Sequence, residues 1–336
     1  MQFRRPWTQR IPQIARVRNP QDADHHPGPD WKPERSRSRG ESVKRSLRHA
    51  IFCALTGLLW LSATACTPGG GNNDALLAAA LPSGGSGGQA CLESWPYSSG
   101  AYIADSSVNA AVDAGTFGDP TKATNKICGA GWASGGTDVY STGSSSECES
   151  GENCIALEWT GKRVLDATGV DFVVYENPFL YNNNASSRFI EAVIVEVSQD
   201  GTNWCGWNPS YSGTTSAPDL RNPGNYSDLA GITPVLFMQS SANSLSASDL
   251  FTEVTDSYGN HLKGGGDGFD LSAPSFGTTG SGCNTTLRNS IRSSGFVYVR
   301  LTTAYSRNSS SFPIVSDSFD QKADIDGVVA RSVTDR

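Results

Sequence analysis

The sequence predicts an all-β fold, an antiparallel jelly-roll β-sandwich with long loops. Two observations favour it: short apolar or alternating segments recur along the second half of the chain, and Gly and Ser are abundant between them. A third is the near absence of helical periodicity. Short strands joined by Gly-rich turns are typical of sandwiches and barrels. We expect this domain to occupy residues 91–336.

Six segments carry the strand pattern. A buried strand appears as a continuous apolar run, and a half-buried strand alternates apolar and polar residues. Asp200-Gly201 supplies a hairpin turn between the third and fourth segments. The long segment 208–294 is polar with few strand signals, and a short helix is expected around 107–114. The predicted strands are 155–159, 170–175, 190–197, 203–207, 296–301 and 325–333.

An export signal precedes this domain. Basic residues lead into the apolar stretch 50–61, which is too short to span a bilayer but suits a signal-peptide core. We therefore expect residues 43–65 to be a signal peptide. The closing residues resemble a lipobox, in which the Cys, here Cys66, becomes the lipidated first residue. Ala63 replaces the usual Leu, and cleavage after an A-x-A motif stays open, which would give a secreted protein.

The cysteine count favours lipidation of Cys66. The remaining six thiols can pair completely in an oxidising compartment if Cys66 is modified. Cys148 and Cys154 are the first pair expected, because the five intervening residues include Gly151 and can close a small loop. The other two pairings stay open. The six cysteines expected in disulfides are Cys91, Cys128, Cys148, Cys154, Cys205 and Cys283.

The segments outside the sandwich are predicted to add little folded structure. Residues 1–42 lack apolar periodicity and are expected to be disordered or to precede the true translation start at Val43, with a basic arm as the alternative. Residues 66–90 are rich in Gly and Ser, typical of a flexible tether. Residues 1–65 carry 12 basic and 5 acidic residues, and the remainder carries 14 and 28, a net charge of −14. Such a surface disfavours nucleic acid and anionic lipid, so the lipid anchor is the expected contact with the membrane.

Carboxylates are the strongest candidate metal ligands. Asp324 and Asp326 precede a glycine, and Asp267 and Asp270 follow three glycines. Oxygen-rich turns of this kind suit Ca²⁺, so we expect the two turns to converge on one calcium ion. Solvated turn acids that cap strands are the alternative. The part after residue 65 contains a single histidine, His261, which disfavours His-based zinc sites and Ser-His-Asp machinery.

Candidate ligand contacts lie at a strand end and beside a tight turn. Glu176 and Asn177 end a buried strand, where sandwich loops commonly carry function, and a structural role is the alternative. Trp204 and Trp207 flank a cysteine after the turn, so at least one is expected near the surface. A flat aromatic face there suits a sugar, and so does the face of Trp132. For Trp204 and Trp207, packing around the disulfide is the alternative.

Six segments share a characteristic order and spacing: 171–179, 192–201, 230–235, 265–271, 297–300 and 323–328. Across about residues 150–332 they resemble an uncharacterised family of bacterial cell-surface proteins whose members are similar to discoidin or galactose-binding-type β-sandwiches. The resemblance implies a cell-surface location and a fold that commonly carries sugar ligands and a structural calcium. It does not by itself imply any biochemical activity.

These observations favour a non-enzymatic lipoprotein of the bacterial cell envelope. At the outer membrane or cell surface it is expected to bind a glycan or a surface or matrix protein. A glycan hydrolase that uses two carboxylates is the first alternative, since that chemistry needs only two acids roughly 5 to 10 Å apart. A structural envelope protein without a ligand is the second.

Overall fold

The computed structural model describes residue 91 and residues 94–112, 115–237, 244–315 and 322–336. The expected signal peptide, Cys66 and the tether therefore lie outside the described residues, as does the segment 1–42. Within the described part, no helix is long and apolar enough to cross a membrane.

Short strands dominate the described chain. In chain order they are β1 Tyr102–Ile103, β2 Ser106–Val108, β3 Tyr140–Ser141, β4 Cys154–Glu158, β5 Lys162–Val164, β6 Phe172–Glu176, β7 Phe179–Leu180, β8 Arg188–Phe189, β9 Val193–Ser198, β10 Trp204–Gly206, β11 Ser210–Tyr211, β12 Tyr226–Ser227, β13 Glu253–Asp256, β14 Gly259–Leu262, β15 Asp267–Phe269, β16 Tyr298–Thr303, β17 Asp324–Ala330 and β18 Val333–Asp335. The helices are α1 Lys122–Asn125, α2 Ala217–Leu220, α3 Thr285–Ser294 and α4 Ala304–Arg307, with 3-10 turns at Tyr181–Asn183, Pro223–Asn225 and Ala247–Phe251.

Two five-stranded sheets form the body of the domain. The first has the order β1-β17-β6-β15, with β3 also paired to β17, and the second has the order β10-β9-β16-β4-β2. Four two-stranded pairs surround them: β5 with β18, β7 with β8, β11 with β12, and β13 with β14. Every ladder between described strands is antiparallel. The all-β prediction is therefore confirmed.

The core lies between the two sheets. On β6, Phe172 and Val174 join the main buried cluster, which also contains side chains of the second sheet such as Val195. Val173 and Tyr175 point the other way into a second buried cluster. Because loops cover the outer face of β6, the strand is buried on both faces and is a continuous apolar run instead of an alternating one.

The predicted helix around 107–114 is wrong. Residues 106–108 form β2, which pairs with β4 of the second sheet, because a polar strand suits the edge of a sheet. The ten-residue helix α3 within the polar segment was not predicted. Its first turn is capped by the Asn284 side chain, which accepts from the N–H groups of Thr286 and Leu287, and Gly295 follows its last residue with a φ of 78°.

Three disulfides join distant and neighbouring parts of the domain. The Cys148–Cys154 bridge is the one that the short intervening loop predicts, and it secures that loop to the first residue of β4. The other two pairings, left open by the sequence, are Cys91–Cys128 and Cys205–Cys283.

Candidate functional site

The four aspartates predicted to share one calcium ion do not converge. Asp267 lies on β15 opposite Val174, and Asp270 follows the end of β15 near the start of the antiparallel neighbour β6. Asp324 and Asp326 lie within β17, near the other end of β6, and so belong to a strand instead of a turn. The expected four-aspartate site is therefore corrected: strand pairing separates Asp270 from the rest.

Asp326 and Asp324 instead accept hydrogen bonds from the protein. Asp326 is 1% exposed, and its two carboxylate oxygens lie 2.8 and 3.1 Å from the backbone N of Cys128, whose N–H they accept. Burial raises the pKa of Asp326 well above its usual value, although this hydrogen bond opposes the rise. Asp324 accepts a hydrogen bond from the Ser141 hydroxyl. Both aspartates thus secure neighbouring segments to β17.

Asp270 belongs to a second acidic group at the start of β6. One carboxylate oxygen from each of Asp166, Asp171 and Asp270 lies within 4.8 Å of the others. The central residue, Asp171, is buried and accepts from the N–H groups of Ala167 at 2.6 Å and Leu271 at 2.7 Å. Burial raises the pKa of Asp171 to about 7. In the sequence, Asp171 is a charged residue directly before the apolar run of β6, and this is the signal that could have identified it.

Glu176 and Asp267 bring two carboxylates together at the opposite end of β6. Glu176 is 1% exposed, and its Oε1 accepts from the Asp324 N–H at 3.0 Å. Its Oε2 has no hydrogen-bond partner among the described residues. Asp267 Oδ2 accepts from the N–H groups of Ile232 at 2.9 Å and Thr233 at 3.3 Å. Burial, together with the nearby charges of Asp324 and Asp267, raises the pKa of Glu176 well above its usual value.

Asn177 positions the loop that precedes Asp138. Its Oδ1 accepts from the Gly136 N–H, and its Nδ2 donates to the Gly136 carbonyl at 3.1 Å. The start of the same loop is held by the Cys128 disulfide and by Asp326. The predicted ligand contact is therefore a residue that fixes a loop, and that loop carries Trp132.

An aromatic stack lies where this loop meets the β13–β14 hairpin. The rings of Trp132 and Tyr258 are stacked at 4.1 Å between centroids with an interplanar angle of 13°, and both residues are half-buried. His261 meets the Trp132 ring edge-on at 5.2 Å, and the Arg188 guanidinium lies 5.1 Å from its centroid. His261 Nε2 is 3.1 Å from a carboxylate oxygen of Asp256. Two half-buried rings thus meet the buried side chains of Arg188 and His261, and Asp256 beside them is exposed.

Trp204 and Trp207 are not available to a ligand. Each is 2% exposed, which corrects the expectation that at least one lies near the surface. Trp207 packs against Phe172 and Phe276 and donates its indole N–H to the Asp270 carbonyl at 3.2 Å. The Arg300 guanidinium lies 4.6 Å from the Trp204 ring centroid. The tertiary fold covers both rings, which the local turn could not indicate.

Comparisons with known proteins identify no family for this arrangement. No protein-family model, curated protein or solved structure matches the chain.

Proposed function

We propose that this chain is a non-enzymatic, lipid-anchored module of the bacterial cell surface that binds a glycan. The finer fold we propose is a jelly-roll sandwich of the galactose-binding type. Three disulfides support export, because such bridges persist in oxidising compartments. The net charge of −14 after residue 65 disfavours nucleic acid as the ligand.

The half-exposed stack of Trp132 on Tyr258 is the observation that carries the proposal. Sugars present C–H faces that pack on aromatic rings and hydroxyls that need polar partners. Burial excludes Trp159, Trp204 and Tyr175, since each is at most 2% exposed. The stack lies where the loop that follows Cys128 meets the β13–β14 hairpin, and loops are a common place for a binding site in such folds.

Polar groups beside the stack suit a hydroxylated ligand. Asp256 is exposed at the hairpin and accepts the Tyr258 N–H at 2.8 Å. This hydrogen bond lowers the pKa of Asp256, so the carboxylate is ionised at neutral pH and accepts hydrogen bonds from hydroxyls. Arg188 donates to the carbonyls of Ile232 and Tyr258 and so braces the hairpin against the neighbouring loop.

Binding without cleavage is favoured over glycoside hydrolysis. A hydrolase needs one carboxyl group with a raised pKa within reach of the glycosidic oxygen. The carboxyl groups of Asp171, Glu176 and Asp326 have raised pKa values, but each of these residues is at most 1% exposed. Asp267 is the remaining carboxyl group with a raised pKa among the described residues, and its Oδ2 holds the loop at Ile232 and Thr233.

A glycan array with the purified full chain tests the proposal. We expect a defined set of glycans to be retained, and at least a tenfold loss of binding in Trp132→Ala and in Tyr258→Ala. Tyr298→Ala is the matched control, because Tyr298 is a half-buried aromatic on the second sheet beside Arg336. Reducing sugar released from a retained glycan would favour the hydrolase, and an array without any signal would favour the structural role.

A further inference from the structure

The buried carboxyl group of Glu176 has one oxygen without a hydrogen-bond partner. Glu176 is 1% exposed at the end of β6, and its Oε1 accepts the Asp324 N–H at 3.0 Å. None of the described residues donates to its Oε2. A buried carboxylate oxygen without a donor costs free energy, whereas a protonated carboxyl group can itself donate a hydrogen bond. The proton state of Glu176 is therefore the question that this oxygen raises.

Gly231 places an acceptor beside the Oε2 of Glu176. A Cβ built on Gly231 would lie 3.2 Å from this Oε2 and 2.6 Å from the carbonyl oxygen of Glu191, so the two oxygens face the same small space. Gly231 has a φ of 80°, a left-handed conformation that favours glycine, and no side chain fills this space. A carbonyl oxygen only accepts, so a hydrogen bond between the two oxygens requires a proton on Oε2.

The charged groups around Glu176 come from neighbouring strands. Burial is the main cause that raises the pKa of Glu176 well above its usual value, and the carboxylates of Asp324 on β17 and Asp267 on β15 act in the same direction. The hydrogen bond from the Asp324 N–H opposes the rise. Burial also raises the pKa of Asp267 to about 6, with Arg188 of β8 as the cation that opposes it. These groups favour the protonated form of Glu176.

We propose that Glu176 is a proton-dependent latch, in which a proton on Oε2 is donated in a hydrogen bond to the Glu191 carbonyl oxygen and closes the turn at 231–233 onto β6. Loss of this proton to solvent opens the latch. The ionised form sets a carboxylate oxygen against a carbonyl oxygen in a buried space, with the Asp267 carboxyl group nearby, and this arrangement is unfavourable.

The latch would join the two sheets of the domain. Glu176 belongs to the first sheet, whereas the turn follows Ala230, which exchanges backbone hydrogen bonds of 2.8 and 2.9 Å with Val193 of β9 in the second sheet. Closing the turn onto β6 therefore stabilises the contact between the sheets. Opening it as the pH rises should destabilise the domain.

Arg188 connects this turn to the aromatic stack. It donates to the Ile232 carbonyl at 2.6 Å and to the Tyr258 carbonyl at 3.3 Å, and its guanidinium lies 5.1 Å from the Trp132 ring centroid. A loosened turn should therefore release Arg188 and weaken glycan binding as the pH rises. This consequence rests on the proposed glycan-binding function, whereas the latch itself does not.

Glu176→Gln is the discriminating variant. Its amide oxygen can accept the Asp324 N–H and its amide N–H can donate to the Glu191 carbonyl, so it imitates the protonated acid at every pH. Because the pKa of Glu176 is higher in the folded chain, the native chain is most stable below the unfolded-state pKa and loses stability as the pH rises through the folded-state pKa. The ratio of the native unfolding equilibrium constant to that of the variant should therefore rise at least about tenfold between about pH 4 and about pH 8.

Denaturant unfolding of the full chain without glycan measures this ratio. Hydrogen exchange of a peptide covering residues 229–233 locates the change, and in the native chain it should accelerate with pH beyond the intrinsic rise of amide exchange. Asp171→Asn is the matched control, since it removes a buried acid near the start of β6 and should leave exchange at the turn as in the native chain.

Two results would overturn the latch. One is a ratio of native to Glu176→Gln unfolding constants that does not change with pH. The other is exchange at the turn that follows the intrinsic rate in the native chain, or that accelerates equally in Glu176→Gln. A glycan retained by the native chain should bind more weakly at about pH 8 than at about pH 4, and equally at both in Glu176→Gln. A chain that binds no glycan, but shows the expected unfolding ratio, would contradict the glycan-binding function and support the latch.

Discussion

Removing the charge of Glu196 should destabilise the domain strongly. The side chain is 2% exposed on the outer face of the second sheet. Its Oε2 accepts from Arg300 Nη2 at 2.8 Å and Nε at 3.1 Å, and from Arg307 Nη2 at 2.9 Å. Burial alone would raise the pKa of Glu196, but the hydrogen bonds and charges of the two arginines outweigh it and hold the pKa below its usual value.

The expected cost of Glu196→Gln is about 3 kcal/mol. Removing one partner of a buried ion pair typically costs about 3–5 kcal/mol, because the other charge is left buried without compensation. The lower end of this range applies here because Arg307 keeps its ion pair with Glu152, with N–O distances of 2.7 and 3.1 Å. Arg300 keeps the Glu147 carbonyl at 2.9 Å and its contact with the Trp204 ring, and neither partner is a carboxylate. The buried Arg300 guanidinium, left without a carboxylate partner, therefore accounts for most of the lost stability.

Urea unfolding of the full chain at pH 7 measures this cost. Asp335→Asn is the control, because Lys162 and Asp335 form a pair whose side chains are 43% and 87% exposed, and such pairs contribute about 0–1 kcal/mol. The pKa of Glu196 is lower in the folded chain than in the unfolded chain. The ionised side chain therefore stabilises the fold when the pH is above the unfolded-state pKa, and this stabilisation is lost as the pH falls through the folded-state pKa. The difference in the free energy of unfolding between the native chain and Glu196→Gln should therefore become smaller at acidic pH. Equal unfolding midpoints for Glu196→Gln and Asp335→Asn would refute the reasoning.

Two further predictions concern the disulfides and Asp171. Opening the Cys205–Cys283 bridge, which closes a separation of 78 residues, should lower the free energy of unfolding by about 4.5 kcal/mol. Opening Cys148–Cys154, with its separation of 6, should lower it by about 2.4 kcal/mol. Denaturant unfolding of paired Cys→Ala variants measures both costs, and equal costs would contradict the loop-entropy argument. The folded pKa of Asp171, about 7, lies above the usual value of 3.8 for an aspartate, so the domain should lose stability, by at most about 4 kcal/mol, as the pH rises from about 4 to about 7. Asp171→Asn should flatten that part of the stability profile, and an unchanged slope would contradict it.

The strands were predictable where local pattern and turn chemistry agree. On β9, alternate side chains such as Val195 and Val197 face the core, and Asp200-Gly201 with a Gly201 φ of 74° turns the chain into β10. The apolar run of β6 was equally informative because both of its faces are buried. In each case the signal lies within a few residues of sequence.

The elements that escaped prediction depend on weak or distant signals. Helix α3 is polar, with Ile291 as its buried residue, so its pattern was faint even though Asn284 and Gly295 mark its two ends. The carboxylates could not be assigned from local turns, since Asp326 holds a backbone N–H 198 positions away at Cys128. Long-range strand pairing decides which acids meet, and the local patterns of a sequence do not reveal that pairing.

Titration calorimetry of a retained glycan into the full chain tests the glycan-binding account most directly. The account predicts saturable binding by the native chain, at least a tenfold weaker association for Trp132→Ala, and native affinity for Tyr298→Ala, with the glycan recovered intact afterwards. Equal affinity of the native chain and Trp132→Ala would contradict the assignment of the Trp132–Tyr258 stack as the binding surface.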